Sequence, residues 1–203
     1  MELIAAIFLF AIATSVSPGP NNIMVMSSGA NYGIKQSFPM LAGICIGFPV
    51  MVITIGLGMG SIFKLYPEIL IAMNIVGTLY LLYLAYLIGT ASPQSIENNN
   101  SKPLTFVQAA LFQWVNPKAW IMATGAVSAY VTSQSDPFNQ IILIALVFFV
   151  ISLPSVGVWL IFGVSLKSFM ANRHKQKIFN MFMSMLLILS LLPALFSLGG
   201  QCI

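Results

Sequence analysis

The residues best suited to chemistry form a proline-rich run, Ser-Pro-Gly-Pro-Asn-Asn, inside an apolar stretch near the N-terminus. Proline in a helix interior removes a hydrogen bond and clashes with the preceding turn, so the run predicts a broken helix. In hydrocarbon, the carbonyl and amide groups released by a break must face protein, water or a ligand. Carbonyl ends favour an ammonium group and amide ends a carboxylate, which together suit a zwitterionic amino acid. The candidate binding residues are Pro18, Gly19, Pro20, Asn21 and Asn22, with a simple kink as the alternative.

A second motif, Asn116-Pro117-Lys118, lies inside another apolar stretch. Lys118 is the only basic residue placed inside a predicted span, where a cation costs on the order of 3 kcal/mol unless it is paired or hydrated. No acidic residue lies well inside a span to pair with it. Lys118 could face a water-filled cavity, contact a substrate carboxylate, bind carbonyls released by Pro117, or snorkel to the cytoplasmic interface. Asn116, Pro117 and Lys118 complete the predicted substrate-binding set.

The other reactive side chains give weaker signals. Cys45 and Cys202 lie far apart and have no metal-ligand spacing, so they are interpreted as ordinary small apolar residues. The single histidine, His174, lies between Arg173 and Lys175 in a basic segment. No Ser/His/Asp set and no HExxH motif indicates a hydrolase. We therefore predict no catalytic residue, no metal and no cofactor, and the chain is not expected to be an enzyme.

Composition predicts the elements that must position these motifs. Of the 203 residues, 59% are hydrophobic and only 6% are charged. Soluble domains carry roughly a quarter charged residues, so lipid is the natural solvent of this chain. A helix needs about 20 apolar residues to cross the bilayer core. Six stretches qualify, which predicts an all-α integral membrane protein of six transmembrane helices. The predicted spans are residues 3–26, 39–61, 69–90, 105–131, 140–163 and 178–199.

Charges in the loops predict the orientation. Basic loops stay on the cytoplasmic side of a membrane. The first, third and fifth loops share one side, so that side is predicted to be cytoplasmic and both termini to face outward. The basic cluster is short and has no supporting domain, which argues against nucleic-acid binding and leaves the lipid bilayer as its partner. The basic residues of these loops are Lys35, Lys102, Lys167, Arg173, Lys175 and Lys177.

The chain divides into two halves of the same plan. Residues 91–103 form the most polar stretch and are typical of a flexible linker. The division leaves three spans in residues 1–100 and three in residues 101–203, within one membrane domain overall. Because three is odd, two similar halves would insert as inverted repeats, the plan of many secondary transporters. Each half has a proline motif in its first span, and Pro18 and Pro117 are separated by nearly half the chain length.

These motifs resemble those of the LysE/RhtB family of bacterial amino-acid exporters. The run at residues 17–22 looks like the Pro-Gly-Pro signature of that family, and residues 113–120 look like its Asn-Pro-Lys segment. Residues 27–48 are most similar to the cysteine/O-acetylserine exporter branch. The resemblance covers essentially the whole chain. Further matching positions are Gly29, Gly33, Leu41, Ala42, Gly43, Ile44, Gly47, Phe48, Gly77, Tyr80, Leu81, Tyr83, Leu84 and Ala85.

The resemblance implies export of amino acids or close derivatives across the bacterial cytoplasmic (inner) membrane, driven by the proton motive force. Substrates of the cysteine/O-acetylserine type or of the threonine/homoserine type are both compatible with it. Many members carry a polar or acidic residue three positions before an aromatic residue in the fifth span. Here Val156 precedes Trp159, so no carboxylate route for proton coupling is visible. The alternatives are a channel, a metal exporter or a thiol-redox membrane protein, and a homo-oligomer is also open.

Overall fold

The computed structural model of the chain describes residues 2–59, 65–90, 102–132, 136–166 and 172–191. Within these ranges the chain is helical and has no strand. Most of the predicted linker lies outside them, as do Lys167, Cys202 and the end of the sixth predicted span. The helices are α1 Glu2–Val16, α2 Pro20–Tyr32, α3 Ile34–Thr54 with a π-helical extension Ile55–Met59, α4 Pro67–Thr90, α5 Phe106–Phe112, α6 Pro117–Tyr130, α7 Pro137–Ser165 and α8 Arg173–Leu189.

The first predicted span is two helices that meet at an angle. α1 and α2 are bent by 53° at the proline-rich run. Gly19, between them, is extended, with φ −174° and ψ 179°. Pro20 is the first residue of α2, a position where the missing N–H of proline leaves no hydrogen bond unmade. The break therefore lies where the two prolines predicted it.

The turn between α2 and α3 is much tighter than predicted. α2 continues to Tyr32, past the predicted end at residue 26, and α3 begins at Ile34, before the predicted start at residue 39. Gly33 alone joins them, with φ 82°, a conformation that glycine adopts without a steric penalty. Lys35 consequently lies in the first turn of α3, and its assignment to a loop was wrong.

Hydrogen bonds between buried side chains explain why this polar segment is helical. Ser28 Oγ lies 2.7 Å from Ser37 Oγ on α3. Asn31 Nδ2 donates to Asn180 Oδ1 on α8 at 3.1 Å, and Gln176 Nε2 donates to Asn31 Oδ1 at 3.0 Å. Polar groups with partners can be buried at little cost. The polarity of the segment, which predicted a loop, instead marks a contact between three helices.

The fourth predicted span is broken in the same way as the first. α5 passes into a 3₁₀ turn at Gln113–Val115, and Asn116 is extended, with φ −86° and ψ 109°. Pro117 is the first residue of α6, as Pro20 is the first residue of α2. Pro117 thus begins its helix as Pro20 does, whereas Pro18 lies in the link before α2.

The described part of the chain is that of a multi-pass membrane protein. Three helices are long and apolar enough to cross a membrane, namely Ile34–Gly58, Ile71–Thr90 and Pro137–Ser165. The bent pair formed by α1 and α2 raises this number to as many as four. Length and composition do not extend the count to six, because α5 and α6 are short and α8 is described for only 17 residues. Six spans thus remain a prediction.

Small residues set the distance between the helices. A Cβ atom built on Gly29 of α2 would lie 2.6 Å from the Leu160 carbonyl oxygen of α7, and one built on Gly163 of α7 would overlap the Met26 carbonyl of α2. A Cβ atom built on Gly47 of α3 would similarly lie 2.7 Å from Ala110 Cα of α5. Close approach of backbones is the usual role of such residues in membrane bundles.

Candidate functional site

Side-chain donors cover the last carbonyls of α1. Asn22 Nδ2 donates to Ser15 O at 2.8 Å and to Ser17 O at 2.9 Å. Trp159 Nε1, from α7, donates to Val16 O at 3.1 Å. A helix end leaves these carbonyls without backbone partners, as the broken helix predicted. They are not bare, however, because the protein itself supplies their donors.

Lys118 brings a cation to the same helix end. Its Nζ donates to Ser17 O at 2.7 Å, to Ser17 Oγ at 2.8 Å and to Pro18 O at 3.5 Å. We call these three oxygens, two backbone carbonyls and the Ser17 hydroxyl, the carbonyl cluster. They match the three donors of an ammonium group in number. Among the possibilities left open by the sequence, these contacts favour carbonyl binding, and the carbonyls belong to the first break instead of the break at Pro117.

Gly19 makes room for the Lys118 side chain. A Cβ atom at Gly19 would lie 2.7 Å from Lys118 Cδ and 3.0 Å from Lys118 Nζ. The extended backbone of Gly19 is open to any residue, so space and not conformation requires glycine here. The two proline motifs are therefore complementary in shape as well as in charge.

We expect Gly19→Ala to lower both the thermal stability and the activity of the protein, because the new methyl group displaces the Lys118 stem from the carbonyl cluster. In a double-mutant cycle read by thermal unfolding, the cost of Gly19→Ala should largely vanish in a Lys118→Ala background. Gly125→Ala in α6 is the control, since the nearest atom to its Cβ lies 3.9 Å away. Additive costs in the cycle would show that Gly19 acts independently of Lys118.

A second connection joins the two breaks through side-chain amides. Asn21 Nδ2 donates to Gln113 Oε1 at 2.9 Å, and Gln113 Nε2 donates back to Asn21 Oδ1 at 3.2 Å. Gln113 is fully buried and also donates to Ala109 O at 2.9 Å. Asn116 Oδ1 accepts from the Lys118 backbone N–H at 3.1 Å and so caps α6. Residues from the two predicted motifs are thus in direct contact.

A cavity of about 40 Å³ lies where the two breaks meet. One water needs roughly 10–15 Å³ of such space, so the cavity holds a few waters and no amino acid. The sequence predicted an opening reached by solute. In this conformation Lys118 lines the cavity, and the space beside it is too small for an amino acid. Ser152 and Val156 of α7 form part of its wall, and no Asp or Glu lines it. The predicted site residues that line it are Gly19, Asn21, Asn22, Asn116 and Lys118, and Pro18, Pro20 and Pro117 are not among its lining residues.

A larger cavity of about 470 Å³ lies between α2 and α4. Its volume falls in the range of roughly 300–1,000 Å³ that is common for small-molecule sites. Ser27, Ser28 and Asn31 form a polar wall on α2, Tyr83 faces them from α4, and Lys102 also lines it. Successive turns of α2 therefore line both cavities, the first turn the small one and the later turns the large one.

Three residues of the site were not predicted. Ser17 and Gln113 stand at the start of the two motifs, and their polarity inside apolar runs was a signal that could have identified them. Trp159 has no such signal, because its bond partner Val16 lies 143 positions away in the chain. Cys45 is buried in α3, and within the described residues no cluster of His, Cys, Asp and Glu could hold a metal ion.

Broken helices that meet at a cavity inside an apolar bundle are typical of membrane transport proteins. A family model described as LysE type translocator matches residues 12–192 of this chain, and the chain belongs to that family. The predicted class of function, export of amino acids or close derivatives, is thereby confirmed, and so is the prediction that the chain is not an enzyme.

Individual relatives agree with the family assignment. The cysteine/O-acetylserine efflux protein of Salmonella choleraesuis (strain SC-B67) is 31% identical over 187 residues, which cover 92% of this chain and 94% of the relative. The protein of the same description from Escherichia coli (strain K12) is 30% identical over 141 residues, which cover 69% of this chain and 71% of the relative. No solved structure matches the chain.

Proposed function

We propose that the exported amino acid binds where the two broken helices meet. The observation that carries the proposal is the presence of both partial charges at one cavity. The carbonyl cluster ends α1, and the N-terminus of α2 has no side-chain cap. Carbonyl ends favour an ammonium group and helix N-termini favour a carboxylate, so a zwitterion satisfies both.

The proposed binding residues have different roles. Pro18, Pro20 and Pro117 keep the helices broken, and Gly19 leaves space beside them. Asn22 and Asn116 bond the released backbone groups, Asn21 bonds the Gln113 side chain, and Lys118 supplies the charge. These eight residues are the proposed substrate-binding set.

The walls of the site favour a substrate with a small, uncharged side chain. No carboxylate lines the small cavity, so a lysine or arginine substrate would bury its side-chain cation without a partner. The relatives described as cysteine/O-acetylserine efflux proteins match this expectation. We therefore propose cysteine or O-acetylserine as the substrate, ahead of threonine or homoserine.

The large cavity is proposed as the entrance for substrate from the cytoplasm. It has the volume to admit an amino acid, and Lys102, one of the basic residues that predict the cytoplasmic side, lines it. α2 would then conduct the substrate from its later turns to the break. In this orientation both termini face outward from the bacterial inner membrane.

The two inverted three-helix repeats are proposed from the order and contacts of the helices. Each half has a broken helix followed by two longer elements. The second elements of the halves, α3 and α7, contact each other, and so do the third elements, α4 and α8. If each half is put in the place of the other, α3 and α7 change places and so do α4 and α8, and both contacts remain. Coupling to the proton gradient and assembly into a homo-oligomer belong to the same proposal.

Efflux from cells that overexpress the protein tests the substrate proposal. Cells loaded with cysteine, O-acetylserine, threonine or homoserine should release the first two faster than vector controls. An uncoupler should slow this release if the proton gradient drives it. Release should saturate with substrate concentration. Unselective, non-saturating release would indicate a channel and contradict the proposal.

A further inference from the structure

We infer that the Lys118 ammonium is a tethered substitute for the ammonium group of the substrate. It holds the carbonyl cluster when the carrier is empty and leaves the cluster when an amino acid binds. The inference rests on the proposed function, since it assumes that the substrate ammonium binds at the same oxygens. It assigns to Lys118 a part in the return of the empty carrier, which is separate from binding.

Distances show that the carbonyl cluster is already occupied by a cation. Lys118 Nζ lies within 2.8 Å of both Ser17 oxygens and 3.5 Å from Pro18 O. These contacts have the geometry that any primary ammonium would adopt. The space left beside Lys118 is about 40 Å³, too little for a second ligand. A substrate ammonium can therefore reach the cluster only by displacing Lys118.

The charges around the cavity make the two occupants mutually exclusive. No Asp, Glu, His, Arg or second Lys is among the residues that line it. The groups facing Lys118 are neutral, with Ser17 from the link after α1, Asn21 and Asn22 from α2, and Ser152 from α7. Two ammonium groups at one cluster would repel each other without a carboxylate to offset the repulsion. One cation at a time is the stable arrangement.

This arrangement has a consequence for the transport cycle. After releasing substrate, an exporter must return empty. Without a cation, the oxygens of the half-buried Ser17 would keep fewer donors, which costs free energy inside a membrane. Lys118 removes that cost in the empty carrier. Exchange of one substrate molecule for another never requires the empty form to return, so exchange depends on Lys118 less than net efflux does.

Proteoliposomes containing Lys118→Met separate these two modes of transport. Labelled, reduced cysteine is the probe, and no pH gradient is imposed. Net efflux into cysteine-free buffer should fall by about tenfold or more, the loss expected for charged hydrogen bonds. Exchange of labelled for unlabelled cysteine should fall much less than net efflux does. In Lys118→Ala, added propylammonium should restore net efflux by refilling the cluster.

Lys177→Met is the matched control, because Lys177 is an exposed lysine on α8, and both modes should be unchanged in it. Lys118→Gln replaces Lys118→Met in the same comparison if the methionine variant does not fold. Equal loss of both modes, unchanged net efflux, or no rescue by propylammonium would each overturn the inference. Absence of both modes in the wild type would instead contradict the proposed function with cysteine.

Discussion

Replacing Asn22 by alanine is expected to lower export by about tenfold or more, while the protein still inserts and folds. Asn22 is buried, and its amide donates to Ser15 O and Ser17 O. Lys118 still covers Ser17 O in the variant, but Ser15 O loses the donor seen here. An unpaired carbonyl in a buried site costs about 1–3 kcal/mol, which loosens the end of α1 and misplaces the carbonyl cluster.

Efflux assays with equal amounts of inserted protein measure this effect. Asn139→Ala is the matched control. Asn139 is exposed, and its amide donates to the Asp136 side chain at 2.8 Å. Its efflux should equal that of the wild type. Wild-type efflux in correctly inserted Asn22→Ala would mean that the covered carbonyls of α1 have no part in transport.

Gly163→Ala is expected to have the largest effect on stability. The added methyl group overlaps the backbone carbonyl of Met26, which cannot rotate away as a side chain would. α2 and α7 must then separate, and the neighbouring contact of Gly29 with Leu160 opens as well. Overpacking of this kind costs about 1–3 kcal/mol. The midpoint of thermal unfolding in detergent should fall by several degrees, with a loss of export at higher temperature.

Gly157→Ala provides the control on the same helix. Both variants replace one glycine of α7 by alanine. A Cβ atom at Gly157 would meet nothing within 4 Å, so only Gly163→Ala creates a clash with another backbone. Alanine also favours helix, so this variant should be as stable as the wild type or slightly more stable. Equal destabilisation of both variants would show that the helix, and not the crossing of α2 and α7, is sensitive to substitution.

Much of the fold could be predicted because bilayer and backbone chemistry impose strong rules. Long apolar stretches predicted the helices, and proline chemistry predicted the first break at the right place. The second break lies at Pro117, where the sequence predicted released carbonyls but an unbroken span. The tight turn at Gly33 could not be predicted, because Ser28 and Asn31 have the polarity of a loop. Only their partners Ser37 and Asn180 show that the segment is buried.

The sequence predicted most of the residues that meet at the candidate site, but not how they are arranged. Proline and asparagine chemistry identified Asn22, and the rarity of cations in spans identified Lys118. That these residues share the oxygens of Ser17 could not be predicted, because the contact joins positions 101 residues apart. The position of Lys118 has the same origin, since only the packing of the two halves places the lysine at the first break.

The indole of Trp159, bonded to the Val16 carbonyl, is a built-in optical probe of the first break. Of the other two of the three tryptophans, Trp114 lies in the second break and Trp120 in the first turn of α6, and the Trp120 indole donates to the Trp114 carbonyl at 2.7 Å. Indole emission shifts in colour and intensity when its hydrogen bond or surrounding polarity changes. Ultraviolet fluorescence of the unlabelled protein therefore reports changes at both breaks in real time, without any engineered dye.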